Sequence, residues 1–205
     1  MIGIVNYGMG NLTSVRNALN FFNIPNEIFD SPSEIKKYDK LILPGVGAFG
    51  LAMENIHETG FAEALQEDVL VKNKPLLGLC LGMQLLLDSS CEHGNHKGLG
   101  FIKGTVDYLG DRIDNLPIPH MGWNQLQVKK NVSLLFKNIP VEEQIYYFVH
   151  SFYCDLNDKT LVAAQTTYGI SFDVVLEDRH IFGCQFHPEK SQKSGLQILK
   201  NFWEL

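Results

Sequence analysis

The chain has 205 residues, of which 45% are apolar and 20% charged, ordinary usage for a globular protein and contrary to disorder. Seventeen Lys and Arg against 23 Asp and Glu give a net charge of −6, which argues against nucleic-acid binding by phosphate neutralisation and against an anionic membrane surface. The longest apolar run, Leu76 to Met83, is too short to span a bilayer. The start, Met1 to Asn6, reads as a strand and not as a signal peptide. Four cysteines at 80, 91, 154 and 184 lack CxxC spacing and fit a reducing compartment. The expectation is a soluble, cytoplasmic chain with residues 1–205 in one domain.

Ile2 to Asn6 is a short apolar strand. After Gly8-Met9-Gly10, residues Leu12, Val15, Leu19 and Phe22 recur at helical spacing, which predicts a helix N-capped by Asn11. Lys40 to Pro44 predicts a second, buried strand that ends in Gly45-Val46-Gly47. Phe49, Met53 and Ile56 open a helix, and Phe61, Leu65 and Val69 mark another, with Glu63, Glu67 and Asp68 as its solvated face. Leu76 to Leu79 predicts a third strand running straight into a helix over 81–87. Continuous apolar strands alternating with helices indicate a parallel sheet covered on both faces.

The pattern changes after Gly98. Segments 100–109, 124–128, 145–149, 161–166, 172–177 and 180–186 are short, rich in Val, Ile, Phe and Tyr, and read as mostly antiparallel strands. A closing helix carries Leu196, Leu199, Phe202 and Trp203 on one face. The fold class is therefore α/β, an open, mostly parallel mixed sheet flanked by helices, with antiparallel strands in the second half. Ligands of such sheets gather at the carboxyl ends of the strands.

Gly78-Leu79-Cys80-Leu81-Gly82 lies at the junction of strand and helix. It has the form of a nucleophile elbow with cysteine in the nucleophile's place. The sharp turn leaves no room for neighbouring side chains, sets the sulfur at a helix N-terminus that favours thiolate, and aims the Leu81 N–H where an oxyanion would form. In another setting Cys80 would read as a core cysteine. A nucleophilic cysteine needs a base and an orienting group. Gln185-Phe186-His187-Pro188-Glu189 offers both, because an extended backbone would project His187 and Glu189 to one side and Pro188 restricts His187 to extended conformations. A second oxyanion donor is sought in Pro44-Gly45-Val46-Gly47, whose glycines allow close approach or a peptide flip. Gln84 lies one helical turn after Cys80.

Other motifs carry less. Gly8-Met9-Gly10 lacks the third glycine of a dinucleotide fingerprint. Cys91-Glu92-His93 with His96 has metal-binding residue types but no second ligand group.

Gly78-Leu79-Cys80-Leu81-Gly82-Met83-Gln84, Pro44-Gly45-Val46-Gly47 and Phe186-His187-Pro188-Glu189 together resemble the class I (triad) glutamine amidotransferases, in order and over nearly the whole chain. Pro119-His120-Met121-Gly122-Trp123-Asn124 and Tyr147-Phe148-Val149-His150-Ser151 are similar to the branch that forms the glutaminase subunit of imidazole glycerol phosphate synthase. The resemblance implies a flavodoxin-like amidotransferase fold and hydrolysis of L-glutamine to glutamate and ammonia, with no metal and no organic cofactor. It implies Cys80 as nucleophile, His187 as proton carrier and Glu189 as its orienter. Leu81 and the Val46-Gly47 turn would stabilise the oxyanion, and Gln84 with the backbone around Ser151 and Phe152 would hold the glutamine α-groups. Relatives often carry tyrosine where this chain has Phe152, a departure that matters little for a backbone contact. Ammonia would pass to a cyclase subunit with a (β/α)8 barrel in histidine biosynthesis, giving a heterodimer whose interface includes Asn11, Met121, Trp123 and Asn124. Gly122 and Asn124 suit a loop around Trp123 better than a core strand.

A paralogous subunit feeding amidino-sugar synthesis for surface polysaccharides would share all these motifs. A cysteine peptidase would need an extended groove, for which the short loops offer no candidate. A non-catalytic binding module would be expected to have lost one of Cys80, His187 and Glu189.

Overall fold

Period-two burial along the central strands divides the core between two faces of one sheet. In the computed structural model, which describes residues 1–129 and 133–205, strands β1 (Ile2–Val5), β2 (Asn26–Phe29), β3 (Lys40–Gly45) and β4 (Leu76–Cys80) pair in parallel in the order β2-β1-β3-β4. Helices α1 (Leu12–Phe21), α2 (Phe49–Glu58) and α3 (Phe61–Leu65) connect them, and α4 (Leu81–Leu85) follows β4 without a linker. Ile4, Ile42 and Leu77 pack on one face against Val15 and Leu19 of α1 and Ile198, Leu199 and Phe202 of the last helix, α5 (Gln192–Glu204). Val5, Leu41, Leu43 and Leu76 pack on the other against Met53, Ile56, Phe61, Leu65 and Met83. Full burial of each such side chain contributes roughly 1.5–3 kcal/mol.

The second half extends the sheet. Short strands β5 (Ser89–Ser90) and β6 (His96–Lys97) lie at its far edge, next to β7 (Gly104–Tyr108). Strands β8 (His120–Gln125) and β10 (Ile145–His150) form a separate antiparallel pair, and β9 (Gln127–Val128) joins the main sheet. Then come β11 (Phe152–Leu156), β12 (Val162–Tyr168), β13 (Ile170–Asp178) and β14 (Ile181–Cys184). Strand β14 enters the middle of the sheet, parallel to β4 and antiparallel to β13. This brings the end of β14 beside the end of β4.

Several elements depart from the sequence pattern. Strands β2, β5, β6 and β11 lie outside the strand segments expected from sequence. Asn11 occupies the N-cap position, but its φ of −90° and ψ of 64° are not the extended capping conformation, and its side chain makes no capping bond. After α3 the chain widens into a π turn at Gln66–Val71, and Asp68 turns inward instead of facing solvent. It is only 4% exposed and pairs with Lys74 at 3.0 Å and Lys72 at 3.3 Å. Trp123 lies in β8, not in a loop. It is still half-exposed, because β8 belongs to the small outer pair.

Candidate active site

The strand–helix junction determines the backbone of Cys80. With β4 passing directly into α4, Cys80 adopts φ +53° and ψ −110°, a left-handed-side conformation that costs a non-glycine residue about 1–3 kcal/mol. The helix that follows crosses so close to β3 that a Cβ at Gly82 would overlap the Leu43 carbonyl oxygen. Glycine is therefore required there by close approach. Cys80 is 7% exposed and opens onto a cavity of about 500 Å³.

His187 follows β14. Its N–H donates to the Tyr147 carbonyl at 3.0 Å, and its own carbonyl accepts from Ser191 Oγ at 2.6 Å. Glu189 comes beside it through a tight 3₁₀ turn, Pro188–Lys190, and not through the extended run expected from the i, i+2 spacing. Proline can open such a turn because its fixed φ suits the first helical position. His187 Nδ1 donates to Glu189 Oε1 at 2.9 Å, with both side chains at most 3% exposed. A carboxylate only accepts, so Nε2 is the nitrogen left for proton exchange. It is buried and makes no hydrogen bond of ordinary geometry to any described residue. Burial pulls the His187 pKa down, but interactions with Cys80 and with Glu189 outweigh it and raise it to about 9. The cysteine and histidine thus couple electrostatically across the cavity wall.

Val46, Gly47, Leu81, Gln84, Ser151 and Phe152 line the same cavity as Cys80 and His187. Gly47 has φ +106°, open to glycine and strained for other residues. The turn before it is tied back by Tyr7, whose buried hydroxyl donates to the Pro44 carbonyl at 2.9 Å. Gln84 donates through Nε2 to the Phe152 carbonyl and to Gln185 Oε1, each at 3.0 Å. Gln185 in turn donates to Cys80 Sγ at 3.8 Å. The partner-facing candidates do not form one group. Met121 and Trp123 are 61% and 49% exposed on one side of β8, whereas Asn124 falls on the other side and bonds His120 and the Thr167 carbonyl. Asn11 borders a separate crevice with Val46, His187 and Glu189.

Two residues not assigned from sequence belong to this site. Gln185 is fully buried and stands two residues before His187, a spacing that could have flagged it. Glu92, taken above only as a weak metal candidate, lines the cavity and accepts the Phe49 N–H at the start of α2 at 2.6 Å.

The family model for "Glutamine amidotransferase class-I" matches residues 4–205. The chain belongs to the class-I glutamine amidotransferases. Within this family the amidotransferase is 49% identical to the imidazole glycerol phosphate synthase subunit HisH 1 of Campylobacter jejuni (strain RM1221), over all of both chains. It is 45% identical to the HisH subunit of Chlorobaculum tepidum, again over all of both. Among solved structures, a crystal structure of a glutamine amidotransferase superposes with a TM-score of 0.76 at 17% identity, covering 99% of this chain and 97% of that one. At that identity the likeness concerns the fold. The amidotransferase fold expected from the motifs is the fold observed.

Proposed function

We infer that the chain is the glutaminase subunit of an imidazole glycerol phosphate synthase, hydrolysing L-glutamine and delivering ammonia to a synthase partner in histidine biosynthesis. The observation that carries this reading is the buried Cys80 and His187 on one cavity, with Glu189 hydrogen-bonded to the far side of His187, in a chain alike over its full length to HisH subunits. The amidino-sugar alternative has no support from those relatives.

In this reading residues 1–205 act as one amidotransferase domain. Cys80 thiolate attacks the side-chain amide carbon of glutamine, and the negative charge moves to the amide oxygen. The N–H groups of Leu81 and of the Val46-Gly47 turn stabilise that oxyanion, and one such donor is worth about 10²–10³ in rate. The C–N bond then breaks as His187 Nε2 protonates the leaving nitrogen, releasing ammonia and leaving a thioester. Water attacks the thioester, His187 takes its proton, the C–S bond breaks, and glutamate departs. Glu189 holds the imidazole and stabilises its charged form. Glu92 supplies the negative charge that the glutamine α-ammonium requires, and Gln84 with the backbone near Ser151 and Phe152 completes the hold on the α-groups. No metal or organic cofactor enters these steps.

The apolar pair Met121 and Trp123 offers an anchor for a partner, which we propose to be a cyclase subunit built on a (β/α)8 barrel. Asn11 borders the separate His187–Glu189 crevice. No helix among the described residues is long and apolar enough to cross a membrane. As for a soluble step of amino-acid biosynthesis, we propose a cytoplasmic location for the complex.

The test is glutamate release from glutamine by the purified chain, alone and with its cognate synthase partner plus the partner's nucleotide ligand. Release that the liganded partner strongly stimulates and that Cys80→Ala abolishes is the expected result. Release seen only with a sugar-branch cyclase would overturn the branch, and silence with both would overturn the glutaminase reading.

A further inference from the structure

Along the wall of the cavity, which His150, Phe152, Gln84 and Cys80 line, a chain of polar side chains runs from β8 to Cys80, and each of its links admits a single direction. The Phe152 carbonyl can only accept. It lies 2.8 Å from His150 Nδ1 and 3.0 Å from Gln84 Nε2, so both nitrogens carry protons pointed at it. With Nδ1 protonated, a neutral His150 has a bare Nε2, and His120 Nδ1 stands 2.9 Å away as the donor to it. His120 Nε2 is then bare and accepts from Asn124 Nδ2 at 3.2 Å. The other Asn124 N–H goes to the Thr167 carbonyl at 3.0 Å, while Asn124 Oδ1 accepts the Gln125 N–H at 2.8 Å. These two contacts set which end of that amide is nitrogen. Toward the nucleophile, the second Gln84 N–H goes to Gln185 Oε1, leaving Gln185 Nε2 to donate to Cys80 Sγ.

The geometry also requires both imidazoles to be neutral. A proton on His150 Nε2 would face the His120 Nδ1–H, and one on His120 Nε2 would face the Asn124 N–H. Their surroundings agree. His120 is stacked between Phe148 at 4.8 Å and Tyr168 at 4.3 Å, and Phe172 meets the His150 ring edge at 5.5 Å. The Tyr168 hydroxyl is committed to the Pro117 carbonyl. The titratable groups bearing on His150 are His120 and, farther off, His187; burial is the main cause that holds the pKa of His120 near 4 and that of His150 near 3.

We propose that His120 and His150 are positioning residues, a one-way hydrogen-bond relay that transmits the placement of β8 to the Phe152 carbonyl and the Gln84 amide of the glutamine cavity, and through Gln185 to Cys80. This rests on reading the cavity as the glutaminase site. The two histidines are cross-strand partners in the β8–β10 pair, so a displacement of β8 moves the relay at its middle. The relay also determines what Gln84 can present. Both of its N–H groups are used, so Oε1 is the atom it offers to a ligand, and it accepts from substrate instead of donating.

The decisive measurement is ¹⁵N NMR of the histidine-labelled wild-type chain. Both rings are expected as the Nδ1–H tautomer with bare Nε2, unchanged from pH 8 to pH 5. An Nε2–H tautomer, or a titration near the ordinary histidine value at either ring, overturns the proposal. Kinetics in the complex with the cognate partner supply the second arm. His150→Phe keeps a ring but breaks two links, and should raise the glutamine KM about tenfold. His150→Asn, which keeps a donor for the Phe152 carbonyl, should recover most of that loss. An unchanged KM in a folded His150→Phe complex overturns the relay. Should that variant fail to fold, Asn124→Leu removes the first link and should raise KM and shift the His120 ¹⁵N signals. A wild-type complex that releases no glutamate sinks the glutaminase reading instead, and the tautomers still decide the relay.

Discussion

His187 sits between two groups that prefer it charged, and its pKa of about 9 has a consequence for stability. The folded chain binds that proton more tightly than the unfolded chain, where histidine titrates near ~6.5. The stabilisation is therefore fully present below ~6.5 and is lost as pH rises through about 9. Glu189→Gln removes part of the upward push. Denaturant titrations of the two proteins should show a wild-type advantage at pH 6 that shrinks by pH 9.5, and an advantage that grows with pH would contradict this account. At this scale much of the site was legible. Cys80 stood out because glycines flank it, and His187 with Glu189 because proline stands between them. Their local geometry was not, since an i, i+2 pair reads as extended until the 3₁₀ turn is seen. His120 and His150 gave no signal of partnership, because a cross-strand contact depends on register and not on spacing.

At the scale of elements, β3, β4 and α4 form a unit with no spare volume. Gly82 is where the helix meets the strand backbone. Gly82→Ala must push α4 away from Leu43 and carry Cys80 with it. We expect a loss of about 3 kcal/mol or more in urea denaturation, together with loss of glutamine hydrolysis; a variant of wild-type stability and activity would show that the junction has slack. The parallel strands of the first half were readable because burial on both faces gives them continuous apolar runs. Strand β2 escaped notice because only Phe29 of its four residues is buried. Strand β11 escaped because Phe152 to Leu156 directly follows another strand, with only Ser151 between them. Asp68 misled for a different reason, because a π turn shifts the helical phase and carries a residue from the outer to the inner face.

At the scale of the whole molecule, the four cysteines sit in three environments. Cys91 is exposed, Cys80 borders the cavity, and Cys154 and Cys184 are fully buried in the sheet, where burial pushes both thiols well above their usual range. A glutamine-shaped electrophile should label Cys80 in preference to Cys91, iodoacetamide should reach both, and neither should touch Cys154 or Cys184 in the native chain. Peptide mapping by mass spectrometry checks this, and native-state labelling of Cys154 or Cys184 would contradict the burial described. The overall α/β class followed from the alternation of strand and helix. The position of β14 did not, because a strand that returns to the centre carries the same composition as one added at the edge.

That position bears on how the enzyme comes into being. β14 is the last strand made, yet it fills the space between β4 and β13. A nascent chain that has not reached residue 181 holds Cys80 with no histidine partner, beside a strand whose edge is open. On the roles proposed for Cys80 and His187 such a chain is inert toward glutamine, and its open edge makes it prone to pairing with a neighbour. On that reading biosynthesis itself withholds hydrolysis until the final strand closes the sheet.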